Sequence, residues 1–212
     1  MKRILPSLVL AITLALPAAA HAATSTWDLD PNHTTSAFSV THMMLTTVRG
    51  DFGKTTGTVV YDDADVTKST VNVSIETASI DTRVPDRDKH LKSADFFDVE
   101  KNPSLTFKST KVEKAGDGKL KVTGDLTMHG VTKSVVLDVT GPSAPQKSPW
   151  GNEVRAVQAT TSLNRKDYGL NWNKTLESGG VLVSDEVKVD IQAELVPHAP
   201  EKADPKATPK KK

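Results

Sequence analysis

No cysteine occurs in the 212 residues, so neither a disulfide nor thiolate chemistry contributes anything. An ordinary hydrophobic core must hold the fold, which a chain of this length can build. Aromatic residues make up only 5% of the chain, too few for a base-stacking platform. Neither charge dominates, and the formal net charge of +1 hides a split. Without Lys2 and Arg3 the 27 basic residues fall to 25, against 26 acidic ones. Residues 198–212 hold five lysines against Glu201 and Asp204, which leaves the body between at −4. A body of that sign argues against a nucleic-acid surface. There is no His-x-x-x-His pair and no Glu beside a metal-spaced His, so no metal ligand set and no cofactor are expected. Asp62-Asp63-Ala64-Asp65 lacks the Gly and the distant Glu of a calcium loop and reads as a solvated hairpin turn. No Gly-x-Ser-x-Gly elbow is present, and no catalytic residue is assigned.

The one long apolar run opens the chain. Lys2 and Arg3 precede Ile4 to Leu16, and Ala20-His21-Ala22 offers a small-residue exit. This is the pattern of a secretory leader, with cleavage expected after Ala22 and the periplasm as destination. The absence of a Cys after the run excludes lipoprotein anchoring. Residues 23–197 then form one domain, and 198–212 is a Pro/Lys-rich segment expected to be disordered.

Within the domain the dominant period is two. Phe38, Val40 and His42 alternate with Ser39 and Thr41, and Val71, Val73 and Ile75 with Asn72 and Ser74. Leu105, Phe107 and Ser109 open another strand, and Ala115-Gly-Asp-Gly118 is a hairpin turn. Leu120, Val122, Leu126 and Met128 share a face opposite Asp125 and Thr127, and after His129-Gly130 the run Val135, Leu137, Val139 follows. Gly141 to Pro149 reads as an irregular loop. Val157, Ala159, Thr161 and Leu163 resume the alternation, and Val187 to Leu195 is its cleanest stretch. Met43-Met44-Leu45 interrupts the pattern and is read as a brief turn of helix.

The alternation also stops at Arg83 to Asp98. Pro85 disfavours helix at Val84, so a short helix is expected to begin near Asp86. Arg87, His90 and Leu91 then share one face, and Phe96-Phe97 supply an aromatic anchor. Many short strands with one polar helical interruption predict an all-β fold, a closed antiparallel lipocalin-like β-barrel of about eight strands with a short helical cap inserted mid-chain. A β-sandwich is the rival from pattern alone, and it has no need of the cap. Small residues at inward phase (Ala37, Ala159, Ala193, Ser109, Thr161) would leave the lumen partly empty, unless large neighbours fill it.

Arg87-Asp88-x-His90-Leu91, Asp95-Phe96-Phe97-Asp98, Pro103-x-x-x-Phe107-x-Ser109-Thr110 and Gly124-x-Leu126-Thr127-x-His129-Gly130-Val131-Thr132-Lys133 resemble the YceI-like family. The resemblance runs from Trp27 to about Val196. It implies a secreted bacterial barrel holding a long isoprenoid or fatty-acyl chain. On that reading Phe38, Val40, His42, Val73, Ile75, Leu91, Phe96, Phe97, Phe107, Leu126, Met128, Leu137 and Trp172 contact the lipid. Arg87, Asp88 and His90 form a polar cap at its head group. Asn171-Trp172-Asn173 would line or close the other side of the lumen. The expected function is a periplasmic carrier rather than an enzyme. The alternatives are an enzyme using His33, His42, Arg87, Asp88 and His90 for acid–base chemistry, and a stress protein with a filled core. Transient membrane contact through the closing lysines stands beside a merely solubilising tail. The oligomeric state is open, a dimer included.

Overall fold

The computed structural model describes residues 24–199. The leader expected at 1–22, and all of the tail except His198 and Ala199, lie outside the described residues. In chain order the elements are β1 (Thr24–His42), β2 (Thr46–Phe52), β3 (Thr55–Asp62), β4 (Thr70–Glu76), β5 (Ile80–Asp81), α1 (Pro85–Lys92), β6 (Ser104–Gly116), β7 (Lys119–Met128), β8 (Val131–Thr140), β9 (Gln146–Lys147), β10 (Glu153–Asn164) and β11 (Glu186–Pro197).

All pairings are antiparallel, and β11 returns to β1, which closes the sheet into an eight-stranded barrel. Eleven strands make eight staves because two staves are each broken in two and β9 lies outside the barrel path. β2 and β3 both pair β1, at its two ends, and β4 and β5 continue one another in the same way. The two breaks lie side by side: Gly53 N–H donates to Ser79 O (3.1 Å) and Glu76 N–H to Lys54 O (2.9 Å). A short 3-10 turn at Thr77–Ser79 occupies the second break. β9 is a two-residue patch on β10 inside the loop expected to be irregular.

Closure is uneven. β7 and β8 share ten register pairs and so do β10 and β11, whereas β8 and β10 share three, from Gln158↔Thr140 to Thr160↔Asp138. Above that level, among the described residues, a side chain spans the seam, Thr161 Oγ1 donating to Val136 O at 2.9 Å.

The Met43-Met44-Leu45 interruption is not helical. Leu45 N–H donates to His42 O (3.0 Å), and Met43 and Met44 take φ of 51° and 62°. These are the angles of a mirror-image hairpin turn, whose twist matches the flanking strands and which normally selects Asn-Gly. Strand pairing has overridden the preferences of two methionines. His129-Gly130 makes a turn of the same hand (φ 51° and 75°) with residues better suited to it.

Two aromatic rings need glycine across the sheet. A Cβ on Gly50 would stand 2.6 Å from Phe38 Cζ, and one on Gly124 2.4 Å from Phe107 Cζ. The rings therefore lie flat on the wall, pointing along the lumen instead of blocking it. Among the buried groups left without a hydrogen-bond partner, beside the hydroxyls of Thr34 and Thr77 and Nε of Arg155, is the Tyr168 phenol, and burial pushes its pKa up. Tyr168→Phe is expected to leave stability unchanged or to raise it by about 1 kcal/mol, since it removes an unpaired buried polar atom. A urea unfolding midpoint lower than wild type would contradict this.

Candidate functional site: the capped lumen

The inward faces of the staves enclose a cavity of about 410 Å³ with an almost wholly apolar wall. Val40, Val73, Ile75, Phe107, Leu126, Met128 and Leu137 all border it, as do Phe38 and His42 of β1. Ala159, Ala193 and Thr161 border it as well, whereas Ala37, level with Asp51 and Asp190 in register, is on the outward phase of β1, contrary to the expectation from sequence. Ser109 does not. Its Oγ accepts the Val71 N–H (2.8 Å), where a bulge at Thr110 shifts the β6–β7 register and breaks the ladder. Ser36 and Thr55, the buried polar pair in the wall, satisfy each other at 2.9 Å.

One end is closed by the cap. Val84 is extended and Pro85 opens α1, as the Pro constraint requires. Arg87, His90 and Leu91 look into the lumen. Phe96 is buried and Phe97 stacks edge-on against Phe52 at 5.8 Å, so the aromatic pair anchors the cap. Thr82 is the hub: its hydroxyl donates to Asp88 Oδ1 and accepts from Arg87 Nε (2.7 Å), while Arg87 Nη2 donates to Thr82 O (2.8 Å). Asp88 Oδ1 also takes the Thr82 N–H at 2.8 Å. Asp88 therefore does not border the lumen as expected of a head-group contact. It holds the cap to the end of β5.

Thr82→Val is expected to lower stability by about 1–3 kcal/mol, because two charged side chains lose a buried partner. It should also loosen the cap. Urea unfolding checks the first effect, with the exposed Asp86→Ala as a control within ±0.5 kcal/mol, roughly the range of neutral surface changes.

Trp172 closes the same end as α1 instead of the opposite one. β10 runs toward the cap, so the β10–β11 connection must lie there. Its indole meets His90 edge-on at 4.8 Å and Phe96 at 5.2 Å. The connection is pinned by Arg165, which is 3% exposed. Arg165 donates to Ser184 O (3.0 Å), Leu170 O (2.5 Å), Trp172 O (2.8 Å) and Asp185 Oδ1 (3.2 Å). Burial pulls its pKa down and Asp185 opposes that shift. The other end is closed by Arg155, whose guanidinium sits 5.0 Å from the ring centres of both Trp27 and Tyr61. The sequence alone assigns neither arginine a role, although Asn164-Arg165-x-x-Tyr168-Gly169 resembles a later motif of the same family.

The residues weighed for acid–base chemistry do not form one group. His33 stands in solvent on the outer wall, 2.9 Å from Asp30 and 3.7 Å from Glu194. Asp30 and Glu194 hold the His33 pKa up and His33 holds that of Asp30 down. His90 Nε2 is engaged by Asp95 at 2.8 Å.

Comparison with known proteins agrees with this architecture. A YceI-like domain matches residues 27–195. A UPF0312 protein of Vibrio cholerae is 40% identical over 170 residues, covering 80% of this chain and 89% of the relative. The crystal structure of the Campylobacter jejuni YceI protein superposes with a TM-score of 0.64 at 29% identity, covering 75% of this chain and 90% of that one. A polyisoprenoid binding domain from Saccharophagus degradans superposes at 0.59 with 18% identity, covering 83% and 100%, a likeness of fold. A matched domain spanning nearly every strand, together with a relative at this identity, leaves one conclusion: the chain belongs to the YceI-like family.

Proposed function

We propose that the protein is a periplasmic binding or carrier protein that holds one long-chain isoprenoid-type lipid in its lumen. The observation that carries this reading is the enclosed cavity of about 410 Å³ behind an apolar wall, with Arg87 and His90 of the cap among its few polar groups. Pockets of this size and lining are the usual sites for small apolar ligands, and eight-stranded barrels are just wide enough to hold one. A chain of this kind places its tail among the valines and leucines of β4, β6–β8, β10 and β11 and its polar end beneath Arg87 and His90. The Saccharophagus degradans domain of the same fold is a polyisoprenoid binding domain, which favours an isoprenoid over a fatty-acyl tail.

Burial is worth about 0.8 kcal/mol per CH₂ relative to water. Relative to a membrane the gain nearly vanishes, because lipid tails are already in an apolar medium. Loading and unloading then follow mass action, and shape with head-group contacts selects the lipid. Catalysis is not part of this reading, since Asp88, His90 and His33 are each committed to structural partners. Organic extraction of protein purified without detergent, followed by mass spectrometry, tests the proposal. One isoprenoid-type lipid per chain is expected, and an extract free of lipid overturns it.

A further inference from the structure

The β1–β2 hairpin ends in three consecutive apolar residues that the described residues leave largely exposed. Met43, Met44 and Leu45 are 42%, 64% and 80% exposed. They lie at the cap end. Leu182 O accepts the Met43 N–H (2.8 Å), and Ser184 N–H donates to Thr41 O (2.9 Å). Leu182 and Val183 border the lumen and Asn173 clamps Val183 (2.8 and 3.1 Å), one residue from Trp172. From the solvent-facing tip to the aromatic lid over the cavity, the wall is therefore continuous. The tip is costly to keep. Two non-glycine residues sit in the left-handed region, where Asn-Gly would be relaxed, and a solvated turn would not select Met-Met-Leu.

Charge on the outer wall beside the tip is layered. Ser39 is flanked in register by Arg49 and Lys188, and in the next row Ala37 is flanked by Asp51 and Asp190. Leu45 lies four residues, about 13 Å of extended strand, beyond Arg49. With the tip at the acyl boundary, long Arg49 and Lys188 side chains reach head-group phosphates, while Asp51 and Asp190 stay in water. Glu186, at the head of β11, stands between the tip and the cationic row.

We infer that the Met43–Leu45 hairpin is a docking tip for the surface of a lipid bilayer, placing the cap end against the membrane with which the lumen exchanges lipid. The inference rests on the lipid reading of the cavity. It also separates docking from the lysine-rich tail, because β11 ends at the opposite end of the barrel, where Trp27 pairs Pro197.

Flotation of the mature, lipid-loaded protein with vesicles of phosphatidylethanolamine and phosphatidylglycerol tests it. The double variant Met43→Asn, Met44→Gly should melt at a higher temperature than wild type and retain its extractable lipid. It should lose about tenfold in partitioning for each aliphatic chain removed. Leu45→Ser should lose a similar factor. Arg49→Gln with Lys188→Gln should weaken binding only where phosphatidylglycerol is present. Wild-type flotation of the Asn-Gly variant overturns the inference. So does a loss that instead follows Trp150→Ser, the 86% exposed residue of the opposite end, or removal of residues after His198. Sedimentation distinguishes a second copy of the chain as partner: if the Asn-Gly change only converts a dimer to monomer, the tip is not a membrane site. Wild-type protein that floats through the tip but yields no lipid on extraction would leave the docking surface standing and remove the lumen reading instead.

Discussion

Arg165→Ala is expected to destabilise the protein by about 3–5 kcal/mol, the range for breaking a buried charged network by deleting one partner. Arg165 is 3% exposed and satisfies three carbonyls and one carboxylate with its single fork. Truncation strands the carbonyls of Leu170, Trp172 and Ser184 in a space too tight for free hydration, and it leaves Asp185 to Lys166 alone at 2.8 Å. Part of the cost is recovered because Asp185 is itself 37% exposed and water can reach it. Arg165→Lys should recover little, since one ammonium cannot reproduce a planar fork aimed in two directions. Urea unfolding gives the number. A loss under 1 kcal/mol would mean that the β10–β11 connection holds itself without the arginine. The functional consequence follows from the same bonds: Trp172 rests on His90 and Phe96, so a released connection unroofs the lumen. Lipid should leave Arg165→Ala faster even under conditions where the barrel remains folded.

How much of this was legible in the sequence depended on whether alternation ran unbroken. β7 pairs with β8, and β10 with β11, without a register shift, and there the inward residues read directly. β1 and β6 do not behave so. In β1 the register shifts between Leu29 and Thr34, so inward positions are odd-numbered before it (Trp27, Leu29) and even-numbered after it (Ser36, Phe38, Val40). In β6 the bulge at Thr110 moves the inward phase from Leu105 and Phe107 to Val112, which a strict period of two assigns to solvent. A one-residue insertion reverses every later side chain, and nothing in the composition of Ser109-Thr110-Lys111 announces it. The cap was legible because proline and spacing fix a helix locally. The roles of Arg155 and Arg165 were not, because they depend on which distant loops meet at each barrel end. Thr82 was hidden for a related reason: its importance comes from two partners five and six residues away, which only the fold of α1 against β5 brings back to it.

Leu126→Lys is expected to give a folded protein that has lost its lipid, and it separates a hollow lumen from a filled one. Leu126 borders the cavity on β7 and is opposite Lys133 in register. Lys133 is exposed although it shares the inward phase of Val131 and Val135, so water reaches the wall at this height, near the cap and the open part of the β8–β10 seam. A lysine at 126 can lay its stem along the cavity and bring its ammonium to that water, with modest repulsion from Lys133 as the cost. Val122 lies deeper, 4% exposed between Val112 and Leu137. There a lysine has no route to solvent, so Val122→Lys should cost several kcal/mol, about 3 or more, or prevent folding. Asp125→Lys, on the outer face between Lys108 and Ser134, should change neither stability nor lipid content appreciably. Leu137→Lys should follow Leu126→Lys in its effect on lipid and cost less stability than Val122→Lys, because Leu137 is level with Val122 in register but only half-buried. Circular dichroism reports folding, and extraction with mass spectrometry reports the lipid. A Leu126→Lys protein that unfolds as Val122→Lys does would mean the cavity is closed to water throughout and the core is effectively filled. If the Leu126 and Leu137 variants both fold and both still carry lipid, the ligand does not lie inside the barrel. The apolar wall would then be a packing feature of the fold, and the carrier function would have to be abandoned.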